Sequence, residues 1–144
     1  MMKILMFNNE YPPLGGGTGT VNAELLNQFK NYPDLKIDLI TSERGKKKDS
    51  ERISENIRII KYPVNNKNIH HSSNLELIKY TFKAVFASFR FHRKEKYDLS
   101  FSWSTVPAGF VSHMLRLFRK VPFIVRVGGP DIPGFEDRYK TLYK

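Results

Sequence analysis

The residues with the most chemical potential lie in three loops. The first is Asn9–Gly19, with a proline pair, Pro12-Pro13, followed by Gly15-Gly16-Gly17. An apolar run, Lys3-Ile-Leu-Met-Phe7, precedes the loop, and a helical pattern begins at Val21 after it. A strand, a loop almost without side chains and a helix start can bring backbone N–H groups close to an anion, with the helix dipole pointing at it. The chemistry is recognition of a phosphate-bearing or sugar ligand. Two other phosphate motifs do not fit. The dinucleotide pattern G-x-G-x-x-G would end on Thr20 from Gly15, or on Asn22 from Gly17, and the loop has no lysine for a P-loop. The other use of these glycines is a tight strand-to-helix turn, at a chain-entropy cost of roughly 1 kcal/mol per glycine. The second loop is Trp103–Thr105, where the Trp103 ring could stack on a sugar or pack locally. The third is Gly128–Phe135, containing Gly128, Gly129 and Asp131. Asp131 is expected to bond amides of its own turn.

The elements that position these loops follow from hydrophobic periodicity. Strands are expected at Met2–Asn8, Leu35–Thr41, Ile57–Tyr62, Tyr97–Trp103 and Phe123–Val127. Helices are expected at Thr18–Asn31, Leu75–Phe91 and Val106–Phe118, with Thr18 or Thr20 as N-cap and Pro107 in a first turn. Arg44–Arg52 reads as a basic loop and Val64–Ser73 as a polar one. Strands alternating with helices imply an α/β fold, a Rossmann-like parallel sheet with right-handed crossovers. Ligands bind such sheets beyond the carboxyl ends of the strands, where all three loops fall.

The 144 residues suit one domain, and 40% apolar content suffices for its core. Without cysteine there is neither disulfide nor Cys-based metal site, and His70-His71 lack metal-ligand spacing. No apolar run reaches the ~18 residues of a membrane span, and the first residues lack signal-peptide character. The expected location is the cytoplasm. The net charge is +10, with foci at Lys46–Lys48, along and after the long helix (Lys79, Lys83, Arg90, Arg93, Lys94, Lys96), and at Arg116, Arg119 and Lys120. The long helix also has an apolar stripe, Leu75, Ile78, Phe82, Val85, Phe86 and Phe89. Two readings stand. The stripe packs on the sheet beneath a solvated cationic face, or the helix docks at an anionic membrane surface, placing the protein at the inner face of the membrane. No nucleic-acid motif accompanies the charge.

The segment Glu10-Tyr-Pro-Pro-Leu-Gly-Gly-Gly-Thr-Gly-Thr-Val-Asn-Ala-Glu-Leu-Leu26 resembles the opening of the family 4 type of GT-B glycosyltransferases. Val121-Pro-Phe-Ile-Val-Arg-Val-Gly-Gly-Pro-Asp-Ile-Pro-Gly-Phe135 resembles the strand and loop closing the acceptor side of the same domain. Tyr97-Asp-Leu-Ser-Phe-Ser-Trp-Ser104 is a weaker third match, and the three occur in family order. The resemblance implies the N-terminal half of a two-domain enzyme, incomplete without a donor-binding C-terminal domain. That enzyme is expected to transfer a hexosyl group, with retention of configuration, from a nucleotide-sugar to a glycan, glycolipid or related lipid-linked acceptor. No cofactor and no metal are implied; the nucleotide-sugar is a co-substrate. Gly15, Gly16 and Gly17 would approach the donor diphosphate, and the later loops, with Trp103, Gly128, Gly129 and Asp131, would shape the acceptor pocket.

One departure concerns charge. Where many relatives place a His or Arg, this chain has Gly128, while Asp131 matches the family Asp. Arg126 lies two residues earlier, on the same side of an extended chain, so it could supply the missing cation as a catalytic group or form a strand-end ion pair. The donor-domain carboxylate spacing E-x7-E occurs at Glu43 and Glu51, within a charged loop in the wrong half of the architecture, and reads as coincidence. The 144 residues alone are expected to be catalytically silent. The alternatives are a stand-alone glycan-binding module, a cleft completed by a second chain, or a cationic protein acting at membrane surfaces.

Overall fold

A computed structural model describes residues 1–70 and 72–132. The expectations for His71, Pro133, Gly134, Phe135 and the last residues lie outside that range. Six strands form one sheet in the order β3-β4-β2-β1-β5-β6. They are β1 (Met2–Phe7), β2 (Leu35–Glu43), β3 (Asp49–Arg52), β4 (Ile57–Pro63), β5 (Leu99–Ser102) and β6 (Phe123–Val125). The helices are α1 (Gly17–Phe29), α2 (Asn74–Glu95) and α3 (Phe110–Arg119). The expected parallel α/β sheet is present. β1 pairs with β2 from Met2↔Leu35 to Phe7↔Ile40, and with β5 from Ile4↔Leu99 to Phe7↔Ser102. The stretch read as a basic loop contains an edge strand, because Asp49–Arg52 pairs antiparallel with β4. Lys61 binds Glu51 across that pair at 2.9 Å.

Side chains of a strand alternate between faces, so one strand serves two cores. Leu5 and Phe7 join Ile40 and Ile60 under α2 and α3, where Tyr80, Ala84, Val111 and Leu115 close the layer. Met6 turns the other way and joins Ile37, Leu39, Ile57 and Ile59 with Leu26 of α1. The order of burial on α2 corrects the first of the two sequence readings, in which the apolar stripe packs on the sheet. Its packed face is Tyr80, Ala84, Ala87 and Ser88, while Leu75, Ile78, Phe82 and Phe86 face solvent. Three small residues bring the helix backbone close to the sheet. Tyr80 then fills the remaining space, and its hydroxyl donates to the Ile40 carbonyl at 3.0 Å. Full burial of such a ring is worth roughly 2–3 kcal/mol.

Two helix starts also differ from expectation. α1 begins at Gly17 with Gly16 as its N-cap, so Thr18 and Thr20 lie inside the first turn, and the Thr20 hydroxyl bonds back to the Gly16 carbonyl. α3 begins at Phe110 after a wide turn over Thr105–Gly109, closed by the Gly109 amide on the Ser104 carbonyl at 2.8 Å. Val106 precedes a proline and is extended (φ −132°, ψ 130°), which prevents the helix from starting there.

Candidate functional site

The chain order reverses between β1 and β5: β1 leads outward to β2 on one side and β5 takes the other. In open α/β sheets that switch point is where a crevice forms beyond the carboxyl ends of the strands. A cavity of about 300 Å³ lies there. Asn8, Asn9 and Glu10 reach it from the end of β1, Trp103 and Ser104 from β5, and Arg126 and Gly128 from β6. Thr18 in the first turn of α1 contributes, as do Asp131 and the α2-side residues His70, Ser72 and Leu77.

Arg126 and Gly128 form one unit. The Arg126 guanidinium stands over the Trp103 ring, 5.4 Å from its centroid. Its Nη1 lies 2.9 Å from where a Cβ at position 128 would be. The arginine thus occupies the space that glycine leaves, and among the described residues its side chain has no ion pair or hydrogen bond. Trp103 itself is only 3% exposed, and its indole N–H donates to the Met6 sulfur at 3.2 Å. The ring acts as a floor beneath Arg126.

The carboxylates around the cavity are engaged, while several donors are free. Asp131 does not cap its own turn as expected; its Oδ1 accepts from the amide and hydroxyl of Thr105, tying the loop after β6 to the loop after β5. Glu10 accepts from the Gly16 amide at 3.2 Å. Asn8 is 2% exposed; its Oδ1 accepts from the Glu10 amide, and its Nδ2 has no partner. The Ser104 hydroxyl is buried without a partner as well. Asn8, Ser104 and Arg126 thus line one cavity, each with an unpartnered donor, a set that suits a ligand rich in oxygen acceptors.

The three glycines of the first loop do not share one task. Gly15 has φ +94°, and a Cβ there would lie 2.4 Å from Glu10 Cβ, so the turn requires glycine. Gly16 and Gly17 face open space, with nothing within 4 Å of a Cβ position. Packing therefore does not explain them; Gly19, at 3.1 Å from the Leu14 carbonyl, sits close to its neighbours as Gly15 does. Neither Gly15, Gly16, Gly17 nor Gly129 lines the cavity; Gly16 and Gly17 flank it through Glu10 and Thr18. Gly129 takes φ +51° at the start of the short turn that carries Asp131.

His70, exposed in the polar loop expected at Val64–Ser73, also lines the cavity. It is brought in by the loop between β4 and α2. The Gly15 amide donates to the Ile69 carbonyl at 2.7 Å, joining this loop to the glycine turn. Glu76 holds its other end, accepting from the amides of Lys67 (2.9 Å) and Ser73 (2.7 Å). Burial pushes the Glu76 carboxyl up, but these amide bonds outweigh it and hold its pKa below the usual value. The signal for this clamp was present as Ser73-x-x-Glu76, a capping box.

No protein-family model and no curated protein matches the sequence. Solved structures do. The chain superposes on sucrose-phosphate synthase from Thermosynechococcus elongatus with a TM-score of 0.64 and 18% identity, over 88% of this chain and 32% of that one. A shorter solved chain of the same synthase gives 0.62 and 16%, over 90% of this chain and 65% of that one. The chain therefore spans only part of the proteins it is similar to. At this identity the likeness concerns the fold, and that fold is a GT-B-type, Rossmann-like α/β domain.

Proposed function

We propose that this chain is the acceptor-side domain of a GT-B glycosyltransferase, and that the cavity at the β1/β5/β6 edge holds the group that receives the sugar. The observation that carries this reading is that Asn8, Ser104 and Arg126, each with an unpartnered donor, line one cavity at the switch point. The similarity to a sucrose-phosphate synthase supports it at the level of fold. In the reaction, the bond between the anomeric carbon and the donor diphosphate oxygen breaks. A bond from an acceptor hydroxyl oxygen to that carbon forms, the hydroxyl proton departs, and a nucleoside diphosphate leaves. The resemblance to family 4 enzymes favours retention of configuration and a nucleotide-sugar donor without metal. Open backbone at Gly16 and Gly17 leaves room for the diphosphate, which would displace the Glu10 carboxylate from the Gly16 amide. Arg126 would neutralise charge on the same side. A second domain would supply the remaining donor contacts.

Ligand-observed NMR with a panel of nucleotide-sugars, sugar phosphates and glycans tests the reading. Saturation is expected to pass from the chain to at least one sugar class and to vanish in Arg126→Ala. Robust sugar transfer by the 144-residue chain alone, or binding indifferent to Arg126, would overturn it.

A second reading is a binding module whose cleft another chain completes. It is favoured by β6, whose Ile124 is 51% exposed at the outer edge of the sheet. The intact mass of the native protein from its source cells separates the two: about 16.8 kDa favours the module, and two to three times that mass favours the larger enzyme.

A further inference from the structure

The largest apolar side chains of α2 point away from the protein. Leu75, Ile78, Phe82 and Phe86 recur at intervals of three and four residues and are 69%, 50%, 63% and 72% exposed. They form one stripe, opposite the face that packs on the sheet. α3 widens it. Leu117 and Phe118 are 60% and 64% exposed, and the Phe118 ring meets Phe89 of α2 edge-to-face at 5.8 Å. A contiguous apolar patch of this kind marks an interaction surface.

The charges around the patch have one sign. Lys79, Arg90, Arg93 and Lys94 are exposed along α2, and none has an ion pair or hydrogen bond among the described residues. The two carboxylates of α2 are engaged elsewhere, Glu76 with loop amides and Glu95 with Lys36 at 3.0 Å. α3 has no carboxylate and ends in Arg119-Lys120. Between the C-terminal ends of the two helices lies a groove of about 280 Å³, lined by His92, Arg93, Lys96, Phe118, Arg119 and Lys120. Burial, and then the charges of Lys96 and Arg119, hold the His92 pKa below its usual value. The groove is a cationic depression with an aromatic wall.

We propose that this face of α2 and α3 docks on an anionic phospholipid bilayer. Ile78, Phe82 and Phe86 enter the boundary between headgroups and acyl chains, and the flanking cations lie against lipid phosphates. A bilayer satisfies both halves of the surface at once. Nucleic acid would neutralise the cations but leave the aliphatic Leu75 and Ile78 in water. An acidic protein would have to be apolar along the length of a 22-residue helix and anionic on its flank. Among the described residues no helix is long and apolar enough to cross a membrane. The inference rests on the helix face and stands apart from the glycosyl-transfer reading.

The test uses vesicles of phosphatidylcholine with and without phosphatidylglycerol. Co-sedimentation is expected with the anionic vesicles, weakening as salt rises. It is expected to fall at least about tenfold in Phe82→Ser/Phe86→Ser, whose substituted positions are exposed and leave the core intact. The single native tryptophan is buried, so Phe86→Trp adds the only exposed indole among the described residues. Its emission should shift to the blue and be quenched by brominated lipid. Three results would overturn the proposal: no vesicle binding, vesicle binding without quenching, or light scattering that shows a dimer lost in the double variant without lipid binding. Oligonucleotide binding as tight as vesicle binding and equally sensitive to the double variant would reassign the surface to nucleic acid.

Discussion

At position 128 a methyl group would meet the Arg126 guanidinium, with Nη1 only 2.9 Å from the Cβ position. The obstructing atoms end a flexible side chain, so Gly128→Ala is expected to displace the arginine and to cost less than about 1 kcal/mol in stability. Sugar-ligand affinity should fall nearly as far as in Arg126→Ala. A denaturation midpoint close to wild type combined with lost saturation transfer would establish that the glycine serves the arginine. Unchanged affinity would remove Arg126 from the site. Same-side placement of the two residues was legible from strand alternation. The Trp103 floor was not, because a ring at a strand end can face a ligand or the core, and only its burial decides which.

The α2 helix shows how an element can be read correctly while its orientation stays open. Its apolar periodicity marks a helix, yet Leu75, Ile78, Phe82 and Phe86 face outward while Val85 and Phe89 pack partly on the core. The sheet accepts instead the strip of Tyr80, Ala84, Ala87 and Ser88, whose small members permit close approach. Periodicity identifies an amphipathic face without saying what covers it. The start of α2 makes a second prediction, through Glu76. Its folded pKa is lowered from an ordinary value of 4.5 despite burial, through the amide bonds from Ser73 and Lys67. The folded state therefore favours the charged form. The resulting stabilisation is complete above the ordinary carboxylate range and is lost as pH falls through the lowered value. The hydrogen-exchange protection factors of the Lys67 and Ser73 amides should fall over that interval. In Glu76→Gln the acid dependence should flatten, with faster exchange already at neutral pH. An unchanged acid limb in the variant would assign the effect to other carboxylates.

Across the whole molecule, one buried polar network links β2, β4 and the start of β5. Asp38 is 1% exposed and takes a bidentate contact from Arg58, Nε to Oδ1 at 2.9 Å and Nη2 to Oδ2 at 2.7 Å. The Tyr97 hydroxyl donates to the same Oδ2. Burial first, and then the Asp38 charge, push the tyrosine pKa up, so it remains a donor. Asp38→Ala should cost about 3 kcal/mol, near the low end for breaking a buried pair, since Arg58 retains some water contact. Equilibrium denaturation measures it, and a loss below about 1 kcal/mol would mean that the network is dispensable to the fold. The Phe91 ring, 5.3 Å from the Arg58 guanidinium, covers this pair from α2.

Alternating apolar and polar runs by themselves determined the α/β class, the parallel strands and the carboxyl-end loops, because period and chain order are local properties. The same runs set Gly15 in a turn; the capping box Ser73-x-x-Glu76 is a local signal too, although the sequence reading began the helix at Leu75. Tertiary structure alone decided which loops meet. His70 joins residues from β1, β5 and β6 only through the Ile69 carbonyl and the Glu76 clamp. It also decided that Asp131 serves Thr105, 26 residues away, and that the aromatic stripe of α2 points outward. These are long-range choices, fixed by the packing of the sheet against the smallest side chains offered to it, and spacing along the chain does not encode them.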